Sequence, residues 1–270
     1  MRILEANVDD IGMGGVFSLV RNFILFKASD DSVDIAAYEP FESHDHISEL
    51  EGLGSHVFFV GHRGNKLLKQ FFLFRNMRRL VRTNAYDCIH IHADVANKLL
   101  VLALAAKSAG CKRIVLHSHA SDVDGAHRWL KKFFHFACRP LLPFVATDFM
   151  SCSQLASQWM FPSVPTDKVF LLKNGVDLSR FAFSQDVRQR VRSELNLHGR
   201  LVVGHVGRFA YQKNHKFLLD FFSRLLSSRP DALLLLVGEG ELLPDVQRQA
   251  DSLGKLQMSC SMASAIMSRN

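Results

Sequence analysis

Short apolar runs alternate with longer stretches of helical spacing along most of the chain, and few folds accommodate that pattern. The run Ile3 to Val8 leads into a glycine-containing loop and then into Val16 to Lys27 at helical spacing. Strand-like runs follow at 33–38, 56–60, 88–92, 113–117, 148–152 and 168–172, with helical stretches at 66–82 and 95–109 between them. Strands that alternate with helices predict an α/β fold with a parallel sheet covered on both faces. The pattern pauses at Asn174-Gly175-Val176-Asp177 and crosses a polar stretch to His198-Gly199. It restarts as a strand (201–206), a helix (214–228), a leucine-rich strand (232–237) and a helix (241–253). The expected organisation is a domain over 1–175, a linker over 176–199, a partial second domain over 200–254 and a disordered tail over 255–270.

Composition narrows the class. The chain has 270 residues, of which 48% are apolar and 22% charged, a balance that favours a packed fold over disorder. No apolar run approaches the ~18 residues of a membrane span, and Met1-Arg2-Ile3-Leu4-Glu5 does not read as a signal peptide. Five scattered cysteines without a Cys-x-x-Cys pair exclude a disulfide framework and a cysteine zinc ribbon. A cytoplasmic setting is expected. Charge is polarised: residues 1–60 hold three basic and eleven acidic side chains, whereas 61–82 hold seven basic ones and no acid. This points to a local electropositive face.

Three clusters could carry chemistry. The loop Gly12-Met13-Gly14-Gly15 follows the first strand, where backbone N–H groups can approach a phosphate or sugar. It lacks the third glycine of a dinucleotide fingerprint, Phe17 standing there, and a plain turn that packs a helix against its strand is the competing reading. His90 and His92 share one side of a predicted strand, and His117 and His119 repeat the arrangement with Asp122 behind. Strand-end histidines lining a polar cleft are preferred over metal ligands, because metal sites usually need carboxylates and outer partners in fixed places and the His-x-His pairs here sit mid-chain. Finally, a strand ends at Gly207, Arg208 follows, and Lys213 comes at the entrance of a helix capped by Asn214. A guanidinium fork and an ammonium beside a positive helix end suit a diphosphate. Two solvated surface cations are the competing reading.

The stretch Val206-Gly207-Arg208-Phe209 with Lys213-Asn214-His215, preceded by Asn174-Gly175-Val176-Asp177 and followed by Leu236-Val237-Gly238-Glu239-Gly240-Glu241, resembles the family-4 retaining glycosyltransferases. Gly14-Gly15, Ile89-His90-Ile91-His92, His117-Ser118-His119 and Ser151-Cys152-Ser153 extend the likeness through the amino-terminal half, so it covers about 1–254. It implies the GT-B fold, with one complete Rossmann-like domain and the beginning of a second. It further implies that Arg208 and Lys213 bind the donor diphosphate and that His119, rather than His117, sits near the transferred sugar. Gly14 and Gly15 would let backbone approach donor or acceptor, and Gly238 and Glu239 would lie near base and ribose. No cofactor and no metal are implied.

The family's acidic motif, two glutamates eight positions apart and about a hundred residues beyond the Arg/Lys motif, finds no counterpart, since no Asp or Glu follows Asp251. The second domain is therefore expected to be truncated and transfer by this chain alone to be weak. The leading expectation is sugar transfer from a nucleotide sugar, with UDP as the expected nucleotide, to a lipid-linked acceptor of a bacterial capsular or exopolysaccharide. An inactive truncated remnant and a metal hydrolase built on the His-x-His pairs are the alternatives. Lys66, Lys69, Arg75, Arg78, Arg79 and Arg82 on helix 65–82, opposite Leu67, Phe71, Phe74, Met77 and Val81, predict peripheral binding to an anionic membrane on its inner face. Phe133 and Phe134 beside Lys131 and Lys132 would add to it. No nucleic-acid module is recognisable.

Overall fold

The computed structural model describes residues 1–11, 14–64, 68–123 and 127–252. The tail over 255–270, Gly12 and Lys66 lie outside them. The chain divides into two compact units, Met1–Val176 and Asp177–Asn270.

In the first unit β1 (Arg2–Ala6), β2 (Ser32–Ala37), β3 (Val57–Phe59), β4 (Cys88–Ala93), β5 (Arg113–Ser118), β6 (Asp148–Ser151) and β7 (Val169–Leu171) form one parallel sheet in the order β3-β2-β1-β4-β5-β6-β7. Its helices are α1 (Gly15–Phe26), α2 (His44–Gly52), α3 (Lys69–Asn84), α4 (Ala96–Ser108), α5 (Arg128–Cys138) and α6 (Gln154–Met160).

Two cores sandwich the sheet, and the alternation of strand residues decides which side each serves. Leu4, Ala36, Ile89, Ile91, Ile114 and Leu116 face a core shared with Leu73, Met77 and Val81 of α3 and with α4. Ile3, Val33, Ile35, Cys88 and Val115 face a second core with Phe17, Val20 and Ile24 of α1 and Leu50 of α2. Helix α4 buries Ala96, Leu99, Leu102, Ala103, Ala105 and Ala106, so apolar residues encircle much of it, as the middle helix of a layer requires. Strand order reverses beside β1: β2 and β3 lie to one side, β4 and its successors to the other. Open parallel sheets bind ligands beyond the strand ends at such a reversal.

The second unit contains α7 (Gln185–Glu194), β8 (Val202–Val206), α8 (His215–Ser228), β9 (Leu233–Val237) and α9 (Leu243–Ser252). Strands β8 and β9 pair in parallel. Phe209, Leu219, Phe222, Leu234, Leu236, Val246 and Ala250 form a third core. The linker expected over 176–199 is not featureless: α7 occupies its middle, capped by the Ser184 hydroxyl, which accepts from the Val187 N–H. The helix buries no residue, so it left no apolar period to read.

Candidate functional site

Each unit carries a polar cluster at the carboxyl ends of its strands. In the first unit the centre is Glu5 on β1, whose side chain is 2% exposed. Glu5 pairs in register with His90, and His92 with His117, so one face of three adjacent strands gathers the carboxylate and the imidazoles. Glu5 Oε2 lies 2.6 Å from His92 Nε2 and 3.0 Å from His90 Nδ1. His92 Nδ1 reaches His119 Nε2 at 2.9 Å, and His90 Nε2 reaches His117 Nδ1 at 3.1 Å. His117 is fully buried and its Nε2 finds no partner.

Burial opposes ionisation of Glu5, but the charge of His90 and the hydrogen bonds from His90 and His92 outweigh it and hold the carboxyl well below its usual range. Burial, then repulsion by His90, pushes His92 down to about 4. Burial, then His92 and His90, pushes His119 down to about 3. Burial and the neighbouring histidines depress His117 further still. Donor atoms of His90, His92 and His117 lie within 4.8 Å of one another, a spacing that fits a metal ion. Here those nitrogens instead meet one another and Glu5 at hydrogen-bond distance.

Gly14 caps α1 at φ −57°, a conformation open to any residue, and a Cβ placed on it would meet its first atom, the Ile11 carbonyl oxygen, only at 3.7 Å. A Cβ on Gly15 would meet nothing within 4 Å. Packing of α1 against the described residues therefore does not demand these two glycines.

In the second unit β8 ends at Val206; Gly207 and Arg208 follow, and a 3-10 turn, Tyr211–Lys213, leads into α8. Asn214, in the left-handed region, caps α8 by accepting from the Phe217 N–H. Arg208 and Lys213 are both exposed and form no ion pair with a described residue. The loop after β9 ties this segment down: the Gly207 N–H donates to the Val237 carbonyl at 2.9 Å, and the Phe209 N–H to the Glu239 carbonyl at 2.8 Å. Gly238 has φ +148°, and a Cβ there would lie 2.1 Å from the Gly207 carbonyl oxygen. Glycine is thus obligatory at 238 for the two loops to meet. The exposed Glu239 side chain stays available, its backbone serving the tie.

The basic helix needs correction. Arg75, Arg78, Arg79 and Arg82 are exposed on α3, unpaired with any described carboxylate, and with Phe71 and Phe74 they line a shallow groove. Lys69 does not join them: its ammonium bonds Glu39 at 2.5 Å and lies over the Tyr38 ring at 4.5 Å. Phe71 is not on the buried side but 61% exposed; Leu73, Met77 and Val81 make the core contact. Beside Phe133 and Phe134, which are exposed, Lys132 pairs with Asp122 at 3.0 Å. No described helix is long and apolar enough to cross a membrane.

Sequence reasoning placed His117, His119, Arg208, Gly238 and Glu239 at or just beyond strand ends and Lys213 at the entrance of α8, and the structure has them there. It missed Glu5. The signal was present: a carboxylate inside the apolar run Ile3–Val8 must be buried and paired.

Residues 13–180 match the sequence profile of Glycosyltransferase Family 4. The chain belongs to glycosyltransferase family 4. Residues 187–260 of this family-4 chain match a second profile, Glycosyl transferases group 1. EpsF of Bacillus subtilis, provisionally named a glycosyltransferase, is 29% identical over 256 residues, covering 92% of this chain and 65% of EpsF. The Escherichia coli UDP-Gal:alpha-D-GlcNAc-diphosphoundecaprenol alpha-1,3-galactosyltransferase is 24% identical over 194 residues, 68% of this chain and 49% of that enzyme. The chain thus spans less than two thirds of either relative's length. Among solved structures, Anabaena HepE in complex with UDP-glucose superposes with a TM-score of 0.72 at 18% identity, over 96% of this chain and 69% of HepE. The fold of the family-4 chain is of the GT-B type.

Proposed function

We propose that this family-4 chain serves a glycosyltransferase that moves a sugar, with retention, from a UDP-linked donor to a lipid-linked saccharide of a bacterial surface polysaccharide. The observation that carries the proposal is the pair Arg208 and Lys213, both exposed and without an ion pair to a described residue, on the segment between β8 and α8 whose Gly207 and Phe209 are tied to the loop after β9. A fork and a point charge fixed beside the α8 N-terminus stabilise the negative charge that grows on a departing diphosphate. They supply the positive charge that a metal supplies elsewhere, so the reaction proposed needs no metal. His119 would lie against the transferred sugar, Gly14 and Gly15 would admit the ligand backbone-close, and Gly238 and Glu239 would flank base and ribose. Support for UDP comes from HepE, solved with UDP-glucose. Support for a lipid-linked acceptor comes from the name of the Escherichia coli relative. The arginine stripe of α3 would hold the protein peripherally on the inner, anionic face of the membrane.

Titration calorimetry of the chain with UDP, and with GDP as comparison, tests the donor site. Arg208→Ala and Lys213→Ala should each weaken UDP binding by about 1.5–3 kcal/mol, the scale of a charge-assisted hydrogen bond. Unchanged affinity in both variants would remove the central argument.

A further inference from the structure

We propose that Glu5 is a positioning residue: through His92 it sets the tautomer of His119, leaving His119 Nδ1 as an acceptor for a hydroxyl of a bound sugar. The geometry leaves little freedom. An ionised carboxylate only accepts hydrogen bonds, so the nitrogen 2.6 Å away, His92 Nε2, carries a proton. A neutral imidazole has one N–H, so His92 Nδ1 presents its lone pair. His119 Nε2, 2.9 Å from that lone pair, must then donate. The remaining nitrogen, His119 Nδ1, is left as an acceptor.

Burial keeps both rings in the neutral state that this chain of reasoning requires, His92 titrating at about 4 and His119 at about 3. His119 Nδ1 has no hydrogen bond to a described residue and is not among the buried unpartnered atoms, so it keeps contact with solvent. Glu5 is itself held on a second side by His90 Nδ1 at 3.0 Å and is almost fully buried, so the carboxylate cannot turn away to water. A fixed lone pair favours a hydroxyl donor and disfavours a phosphate or carboxylate. The site would therefore take the sugar rather than the diphosphate of a donor. The assignment of tautomers stands on this geometry and on the neutrality of the two buried rings, whereas the sugar hydroxyl as ligand rests on the transfer reading above.

Long-range 1H–15N spectra of the histidines in the full chain at pH 7 read the tautomers directly. Wild type and Glu5→Asp, whose carboxylate also only accepts, should show His92 and His119 with the proton on Nε2. In Glu5→Gln one of the two oxygens becomes an NH2 donor. With the amide oxygen towards His92 Nε2 the wild-type order of donors persists, and with the NH2 there it reverses, so His119 should become a mixture. Calorimetry should then show UDP-glucose binding weakened about tenfold in Glu5→Gln, the effect of a mispaired hydrogen bond, with UDP within about twofold of wild type. Wild-type His119 protonated on Nδ1 would overturn the proposal. So would one unchanged tautomer in all three proteins, or a stoichiometric metal on these nitrogens in the purified chain. Should Glu5→Gln fail to fold, the wild-type tautomer decides. Failure of wild type to bind UDP would sink the transfer reading, and the spectra would still decide the role of Glu5.

Discussion

A carboxylate buried at the centre of a parallel sheet is tolerated only because two imidazoles complete its hydrogen bonds. The same burial makes the histidines sensitive to acid. His92 falls from 6.5 to about 4, and His135, fully buried, stacked on Trp159 and accepting the Ala96 N–H, also falls to about 4, burial being the first cause in both. Their folded pKa values are depressed, so between pH 6.5 and about 4 the unfolded chain binds more protons than the folded one. Stability should be level above pH 6.5 and fall by a few kcal/mol as pH drops towards 4. Below that His92 and His135 add nothing more, while His119 and the carboxyl of Glu5, depressed further, keep lowering it. Urea unfolding at pH 7 and pH 4.5 measures it; equal midpoints would show that these rings titrate normally. A second prediction concerns Gly238. Alanine there must leave the positive-φ region or displace the Gly207 carbonyl, so Gly238→Ala should destabilise the second unit by about 1–3 kcal/mol. It should also weaken UDP binding by moving Arg208. Melting and UDP titration of that variant provide the check, and Gly14→Ala, whose Cβ meets nothing closer than 3.7 Å, is the comparison that should melt as wild type does.

Among the elements, α3 shows how a helix divides its work. Leu73, Met77 and Val81 recur every four residues and fix the buried side, while Arg75, Arg78, Arg79 and Arg82 fall on the exposed surface. The arginine spacing was legible because it obeys helical periodicity. The fate of Lys69 was not, because Glu39 and Tyr38 reach it from a different part of the chain. Helix α5 has a regular polar face of Arg128, Lys131, Lys132 and His135, but its burial could not be read from that pattern, since Trp129, Phe133, Phe134 and Phe136 are exposed while the residue it buries is His135. If α3 faces anionic lipid, each cation contributes up to ~1 kcal/mol near the surface. The double variant Arg75→Glu/Arg79→Glu should therefore sediment with phosphatidylserine vesicles at least tenfold less than wild type, with a smaller change at high salt. Equal sedimentation of wild type on neutral and anionic vesicles would rule out the membrane assignment.

For the molecule as a whole, the three cores do not straddle the boundary at Val176: two belong to the first unit and the third to the second. A fragment comprising residues 1–176 should consequently fold alone and melt in one cooperative transition followed by circular dichroism, whereas a broad, non-cooperative loss of signal would mean that it borrows stability from beyond the boundary. Alternation of strand and helix was enough to specify the α/β class, because apolar periods of two and 3.6 arise within single segments. The motif Arg208–Lys213 was legible for a similar reason: its members lie on one continuous strand, turn and helix. Strand order was not legible, since adjacency of β1 to β4 depends on which edges pair after the helices have packed. That adjacency alone brings Glu5 within reach of His90 and His92, 85 and 87 residues along the chain. Local spacing thus determined which elements and which cations this protein has; long-range pairing decided that a buried glutamate and four histidines form one hydrogen-bonded unit.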